Sequence, residues 1–377
     1  IASGSVWFEQ EEREFTDDEV WKVLSSKRNS GSPGYKPAYL AKPMEWSMHS
    51  ILEQPAEFDI NGYSESFMNW PEDLNNDGRL DLLVVDFPGK QTWWFENSGS
   101  PDQPWRRHEI TPVTNNESPQ YVDVDGDGRR EIVFGAENGV MSLASPKSFP
   151  DAPWSLMPIS YPGSPGTERF SHGLGIGDVN GDGRKDVLVT AGWWEQPVDP
   201  TEVAWTFHPA PFGQACSQMY VYDFDGDGDA DVLSASAHDF GIWWHEQRPE
   251  VGDQRSEASA SEEQSESTWT THEIDTSYSE THAVCLADID GDGLPDFVTG
   301  KRWWSHNGHG PGADGPAVLC WYRLRREDGK PVWEKHEIDA DSGVGTQFTV
   351  ADVNGDGLLD IVTSNKKGTF LFEQVRK

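Results

Sequence analysis

Positive charge is scarce in this sequence: 29 Lys and Arg face 65 Asp and Glu across 377 residues, a net charge of −36. That balance argues against a nucleic-acid partner, whose phosphates demand Lys and Arg, and disfavours anionic membrane surfaces. Long apolar runs are missing too. Nothing approaches the roughly 20 residues that cross a bilayer, so no membrane insertion is expected. Cysteine is sparse: Cys216, Cys285 and Cys320 are too few for a disulfide framework, although a single bridge stays open. No signal peptide, nucleophile elbow, phosphate loop or dinucleotide fingerprint is visible. GLGIGDVNG from Gly173 is only superficially a glycine-rich phosphate loop, because an acidic loop follows where a helix would have to begin.

What is abundant is one acidic nonapeptide, present six times: DLNNDGRLD, DVDGDGRRE, DVNGDGRKD, DFDGDGDAD, DIDGDGLPD and DVNGDGLLD. Oxygen-bearing side chains recur at its first, third, fifth and ninth places. In the first three copies these are Asp73, Asn75, Asp77 and Asp81; Asp123, Asp125, Asp127 and Glu131; Asp178, Asn180, Asp182 and Asp186. The later three supply Asp223, Asp225, Asp227 and Asp231; Asp288, Asp290, Asp292 and Asp296; Asp352, Asn354, Asp356 and Asp360. Gly at the sixth place permits a tight turn, and a carbonyl at the seventh can complete a shell of six to eight oxygens. That is the chemistry of calcium, and about six calcium ions are expected. These places hold 21 of the 65 acids, which repel one another without cations, so stability should depend on bound metal. Calcium loops suit millimolar calcium, so an exported, extracellular or periplasmic protein is expected.

The loops start 50, 55, 45, 65 and 64 residues apart, close to the length of a four-stranded propeller blade. Each repeat has one grammar. An apolar strand enters the acidic loop and a second leaves it. A third carries an aromatic pair, at Trp93, Trp193, Trp243 and Trp303, and a fourth carries Trp-x-x-His, ending at His108, His208, His272 and His336. Turn residues between short strands, with no helical periodicity, describe antiparallel blades, and the 18 Trp serve largely as packing between them.

The expected fold is therefore an all-β propeller over residues 1–377. IASGSVWFEQ reads as the end of a second strand and a third, with Trp46 and His49 in a fourth, so the chain is expected to begin midway through a blade that has no acidic loop. Seven blades follow, with six the alternative if these strands complete the blade begun by Asp352. Two segments depart from the grammar: FTDDEVWKVLSSK from Phe15 reads as a short helix capped by Thr16, and residues 248–268 as a flexible, acidic, low-complexity insertion.

These loops and their flanks resemble the FG-GAP or VCBS repeat family, known from integrin α-chain heads and secreted propellers. The resemblance covers nearly the whole chain and implies the fold and calcium, but not an activity, because one fold hosts lectins, adhesion heads and lyases. More narrowly, SHGLGIGDVNGDGRKDVLVTAGWWEQP, HDFGIWWHEQ and ETHAVCLADIDGDGLPDFVTGKRWWSH are similar to the propeller domain of the aldos-2-ulose dehydratases. Those enzymes eliminate water from anhydro-keto sugars with metal assistance. The fungal enzyme carries cupin modules that these 377 residues do not match, so only the dehydratase half of its chemistry is implied, and further domains outside this chain are allowed for.

Topology then sorts the candidates for chemistry. The loop joins the first and second strands, so the start of the first and the end of the second meet at the opposite mouth. Six residues before the loops stand Glu117, His172 and His282; just beyond the second strands stand Asp86, Glu137, His238, Lys301, Arg302 and Lys366. His172, His238 and His282 suit zinc or another divalent transition ion with an open position. Lys301, Arg302 and Lys366 form a basic island that could steady an oxyanion. His245, His306 and His309 read as surface residues. Two functions follow: a carbon–oxygen lyase (dehydratase) acting on a keto or uronic sugar, or a non-catalytic propeller that binds a carbohydrate or protein at the same face.

Overall fold

The computed structural model describes residues 2–3, 6–11, 45–52, 62–146, 153–248 and 268–376. Among them the architecture is all-β. Four-stranded antiparallel units follow one another in chain order, beginning with Met68–Glu72, Asp81–Val85, Lys90–Glu96 and Arg106–Thr114. Two of these units join through their first strands, where Gly175–Gly177 pairs parallel with Met219–Tyr222. A three-stranded sheet stands at each end of the chain: Ala2–Ser3, Val6–Glu11 and Glu45–Ser50 at one, Phe348–Ala351, Asp360–Asn365 and Gly368–Phe372 at the other. The expected helix from Phe15 and the body of the acidic insertion lie outside the described residues.

The second strands make the core. Asp81–Val85, Asp231–Ala235 and Asp296–Gly300 are buried at every position, because a sheet lies against each of their faces. That is why they read as continuous apolar runs rather than as an alternation. First strands crowd together at the centre: a Cβ on Gly177 would stand 2.4 Å from Val221 Cβ, so only glycine permits that approach. The first strands of the first and last loop-bearing units touch. Thr346 Oγ1 donates to the Phe67 carbonyl (2.6 Å), and the Asn69 N–H donates to Gln347 Oε1 (2.8 Å). First strands surround a central cavity of about 140 Å³ whose wall includes Met68, Gln120, Gln218, Val284 and Phe348.

One strand assignment needs correction. Trp303 and Trp304 are not in a third strand; they precede a short 3-10 turn at Ser305–Gly308, and the third strand is Leu319–Glu327. Trp321 therefore takes the aromatic place opposite His336. Its neighbour in the sequence is Tyr322 rather than a second Trp, which hid it from a search for paired tryptophans.

Candidate functional site

Two backbone clasps assemble the mouth. In one, the Glu117 N–H donates to the Ser171 carbonyl (2.9 Å) and the Phe170 N–H to the Asn115 carbonyl (3.0 Å), with the Asn116 amide holding Gly166 and Ser171. This sets Glu117 beside His172. In the other, Thr281 donates twice to the Ser236 carbonyl, through its N–H (2.9 Å) and its hydroxyl (2.7 Å), and the Glu280 N–H donates to the Asp239 carbonyl (3.0 Å). This sets His238 beside His282. Closure of the propeller brings the two pairs together above the central cavity.

The result is a cluster of four ligating groups. His172 Nε2 stands 2.8 Å from His238 Nε2, 3.3 Å from His282 Nε2 and 3.2 Å from Glu117 Oε2; His282 Nε2 stands 3.0 Å from the same oxygen. One atom from each of the four lies within 4.8 Å of every other. A tetrahedron with bonds of about 2.0–2.1 Å has edges of roughly 3.3–3.4 Å, so these four separations stand at or slightly inside the spacing that one small cation would impose. His172 Nδ1 lies 2.7 Å from the Phe170 carbonyl. A proton there is donated to that oxygen, the usual second contact of a ligating imidazole, so that Nε2 could turn a lone pair to a bound cation.

Electrostatics agree with a cation site. Burial pushes His282 down to about 3, with the Arg302 charge adding to it. Burial also pushes His238 down to about 4, reinforced by His172. Both imidazoles are neutral at pH 7. Burial alone would raise the Glu117 carboxyl, but hydrogen bonds from His172 and His282 outweigh it and hold the group well below the usual carboxylate range. Neutral nitrogens and an ionised carboxylate are what a divalent transition ion takes.

The basic residues divide. The Lys301 ammonium is buried in an ion pair with Glu280 Oε2 (2.6 Å), whose other oxygen accepts from the Ser305 hydroxyl. Arg302 and Lys366 lie over the Tyr63 ring, at 5.5 and 4.6 Å from its centroid. Replacing Lys301 by Met should destabilise the protein by about 3–5 kcal/mol, the effect of stranding a buried charge. Adding Glu280→Gln should recover most of that loss, read by urea unfolding of the single and double variants. Asp86 and Glu137 do not join the cluster; Asp86 faces Lys90 at 3.9 Å.

At the opposite end the six acidic loops fold alike. The sixth-place glycines (Gly78, Gly128, Gly183, Gly228, Gly293 and Gly357) all have φ between 81° and 101°. Each donates its N–H to the first-place Asp, as Gly183 does to Asp178 Oδ2 (2.8 Å). Ninth-place carboxylates are at most 1% exposed and accept the N–H of the second place, as Asp186 accepts from Val179 (2.9 Å). In five loops they also accept a backbone amide in or just beyond the third strand, as Asp231 accepts from Gln247 (2.9 Å). The ninth residue thus anchors the loop to its sheet. Ligating oxygens converge within 4.8 Å in Asp123, Asp125 and Asp127, in Asp223, Asp225 and Asp227, and in Asp288, Asp290 and Asp296.

An FG-GAP-like repeat model matches residues 73–134 and 223–299, and an FG-GAP repeat model matches residues 344–370. The chain carries FG-GAP repeats. The Asp178 loop lies outside the matched segments yet has the same hydrogen bonds. Similar solved structures include an Agrocybe aegerita lectin that recognises non-reducing terminal N-acetylglucosamine, at 14% identity and a TM-score of 0.46, covering 78% of this chain and 73% of that one. Another is the V. cholerae biofilm matrix protein Bap1, at 14% identity and a TM-score of 0.33, covering 76% of this chain and 43% of that one. No curated protein matches the chain.

The remaining histidines sort by place in the FG-GAP repeat. His108, His208 and His272 each bond a third-strand carboxylate, Glu96, Glu195 and Glu246, at 2.9, 2.8 and 2.7 Å. The same rings stack on Trp94, Trp193 and Trp244 with centroids 4.1, 4.3 and 4.4 Å apart. Such partly exposed pairs are screened by water. His208→Ala should therefore lower stability by only about 0.5–1.5 kcal/mol and leave ligand binding unchanged, measured by chemical unfolding and calorimetry.

One expectation fails, and one residue gains a place. His245 is not a surface residue; it is fully buried between the hydroxyls of Ser234 (2.8 Å) and Thr271 (2.9 Å). His306 belongs to the mouth, its ring 4.6 Å from that of His238. Nothing in its sequence position signalled this, because the turn that carries it interrupts the repeat. Glu117 did carry a signal: it holds the same place before its loop as His172 and His282.

Proposed function

We propose that this chain is an exported, calcium-stabilised propeller whose mouth holds one divalent transition ion and carries out metal-assisted elimination on a keto or uronic sugar. The observation that carries this reading is the convergence of His172, His238, His282 and Glu117 within 4.8 Å. Such an ion, when bound, polarises a carbonyl and acidifies the neighbouring C–H. The three imidazoles would hold it through Nε2, as zinc takes nitrogen. Glu117 can join them as a ligand, or accept a proton from a sugar held beside it. Because Glu280 engages Lys301, the task of steadying negative charge passes to Arg302.

The FG-GAP loops would hold calcium and so tie the fold to an extracellular or periplasmic setting. Seven blades remain our reading of the ring: six loop-bearing units and the N-terminal sheet, whose three strands match the second to fourth of a blade.

A second reading, a non-catalytic propeller for a carbohydrate or protein, draws on the aromatic rim. Tyr63, Phe87 and Phe170 stand with neighbouring centroids 5.2 and 5.6 Å apart, and Phe170 is 42% exposed, a platform on which a sugar ring can stack. Elemental analysis separates the two. About one equivalent of zinc, manganese or nickel, with ultraviolet absorbance growing as keto sugars or uronides are offered, supports the lyase. Calcium alone, with no absorbance change, defeats it in favour of the binding module.

A further inference from the structure

Among the described residues, no acidic group answers the charge of Arg302. It is 6% exposed, and among the described residues its guanidinium makes neither an ion pair nor a hydrogen bond; its contact is the face of Tyr63, 5.5 Å away. Lys301, beside it in the sequence, is paired with Glu280 at 2.6 Å. The contrast is informative because a guanidinium has five donors in a fixed fork, and removing it from water without an anion costs several kcal/mol. Its backbone is also fixed: the Arg302 N–H donates to the Glu280 carbonyl (3.0 Å), and Arg302 bridges to Val344.

The surroundings say where an anion would go. From Tyr63 an aromatic wall runs through Phe87 (5.2 Å between centroids) and Phe67 (6.0 Å) to His282 (6.5 Å). Arg302 stands at one end of that wall and the His–Glu cluster at the other. Lys366 adds a second cation over the same Tyr63 ring, at 4.6 Å. An anion on the Arg302 fork would therefore lie against an apolar face, with the rest of the ligand directed to the cluster.

We propose that Arg302 is the specificity-determining residue of the mouth and that its ligand is a sugar acid. The carboxylate takes the guanidinium fork in a bidentate pair, the ring lies along the aromatic wall, and hydroxyl or carbonyl oxygens face the His–Glu cluster. A carboxylate suits this apolar wall better than a phosphate dianion, which has two charges to bring out of water instead of one. This choice of substrate class rests on the mouth being the functional site, as proposed above.

Isothermal titration of the whole, calcium-replete protein, with and without added zinc, tests it. The ligands are galacturonate and glucuronate, with galactose, glucose and glucose 6-phosphate as controls. The uronates should bind at least about tenfold tighter than the neutral sugars, as expected for a charge-assisted pair. Arg302→Met should erase that advantage, and Arg302→Lys should keep part of it. Because the native charge is unpaired, Arg302→Met should melt no lower than the parent. Equal binding of acid and neutral sugar overturns the proposal, as do preference for the phosphate and absence of any binding. So does an Arg302→Met variant that melts well below the parent while still preferring uronates, because Arg302 is then structural. If uronate preference holds but no zinc binds, the lyase reading fails and this assignment stands; zinc binding without the preference gives the reverse.

Discussion

Replacing His172 and His282 together by Ala should abolish binding of one equivalent of zinc while the calcium content and the circular dichroism of the propeller stay unchanged. The rings lie with centroids 5.2 Å apart, and their Nε2 atoms with that of His238 and the Glu117 carboxylate are the whole of the cluster. Removing two of four ligands leaves His238 and Glu117, too few to hold the ion against water. Any elimination activity should fall by several orders of magnitude, since stabilisation of the developing enolate goes with the metal. The fold should survive because neither imidazole stacks on a blade tryptophan as His108 does on Trp94. Zinc stoichiometry by mass spectrometry decides the matter. A double variant that still binds one equivalent means the ion, if any, sits elsewhere.

Chelation should have the largest effect on stability. Each FG-GAP loop packs three or four oxygen ligands into nine residues, and a cation bound at about a hundredfold over its Kd adds about 2.7 kcal/mol per site. Several sites acting together, at about 2–4 °C per kcal/mol, should make EGTA lower the melting temperature by roughly 10 °C or more. An unchanged melting curve in a protein confirmed free of calcium would remove the loops' cation role. pH gives a second reading. In the cation-free protein, burial pushes Glu131, Asp186 and Asp231 up to about 7, with neighbouring loop carboxylates adding to it against backbone hydrogen bonds. These groups bind protons more tightly folded than unfolded, so their contribution is present at low pH and lost as pH rises through about 7. The chelated protein should therefore melt lower at about pH 8 than at about pH 6, and added calcium should shrink or reverse that difference.

Whatever is local was legible in the sequence. Every loop closes on hydrogen bonds spanning five residues or seven, such as Gly293 to Asp288 and Ile289 to Asp296, so a nonapeptide pattern contains all the partners it needs. Strand order was largely readable because the first two strands flank each loop; the Trp–His stacks were not, because each joins a third-strand Trp to a fourth-strand His, as Trp94 to His108. The carboxylates that hold those histidines, Glu96, Glu195 and Glu246, stand two residues after the stacking Trp but at varying distance from the aromatic pair, so the pair did not point to them. What only the tertiary structure decided depends on closure of the ring. His282 meets Glu117 across 165 residues, and no repeat pattern states how far round the ring two blades lie. Burial likewise separated Lys301 from Arg302: adjacent in sequence just past the end of the second strand, one finds Glu280 and the other meets Tyr63, with no carboxylate partner among the described residues.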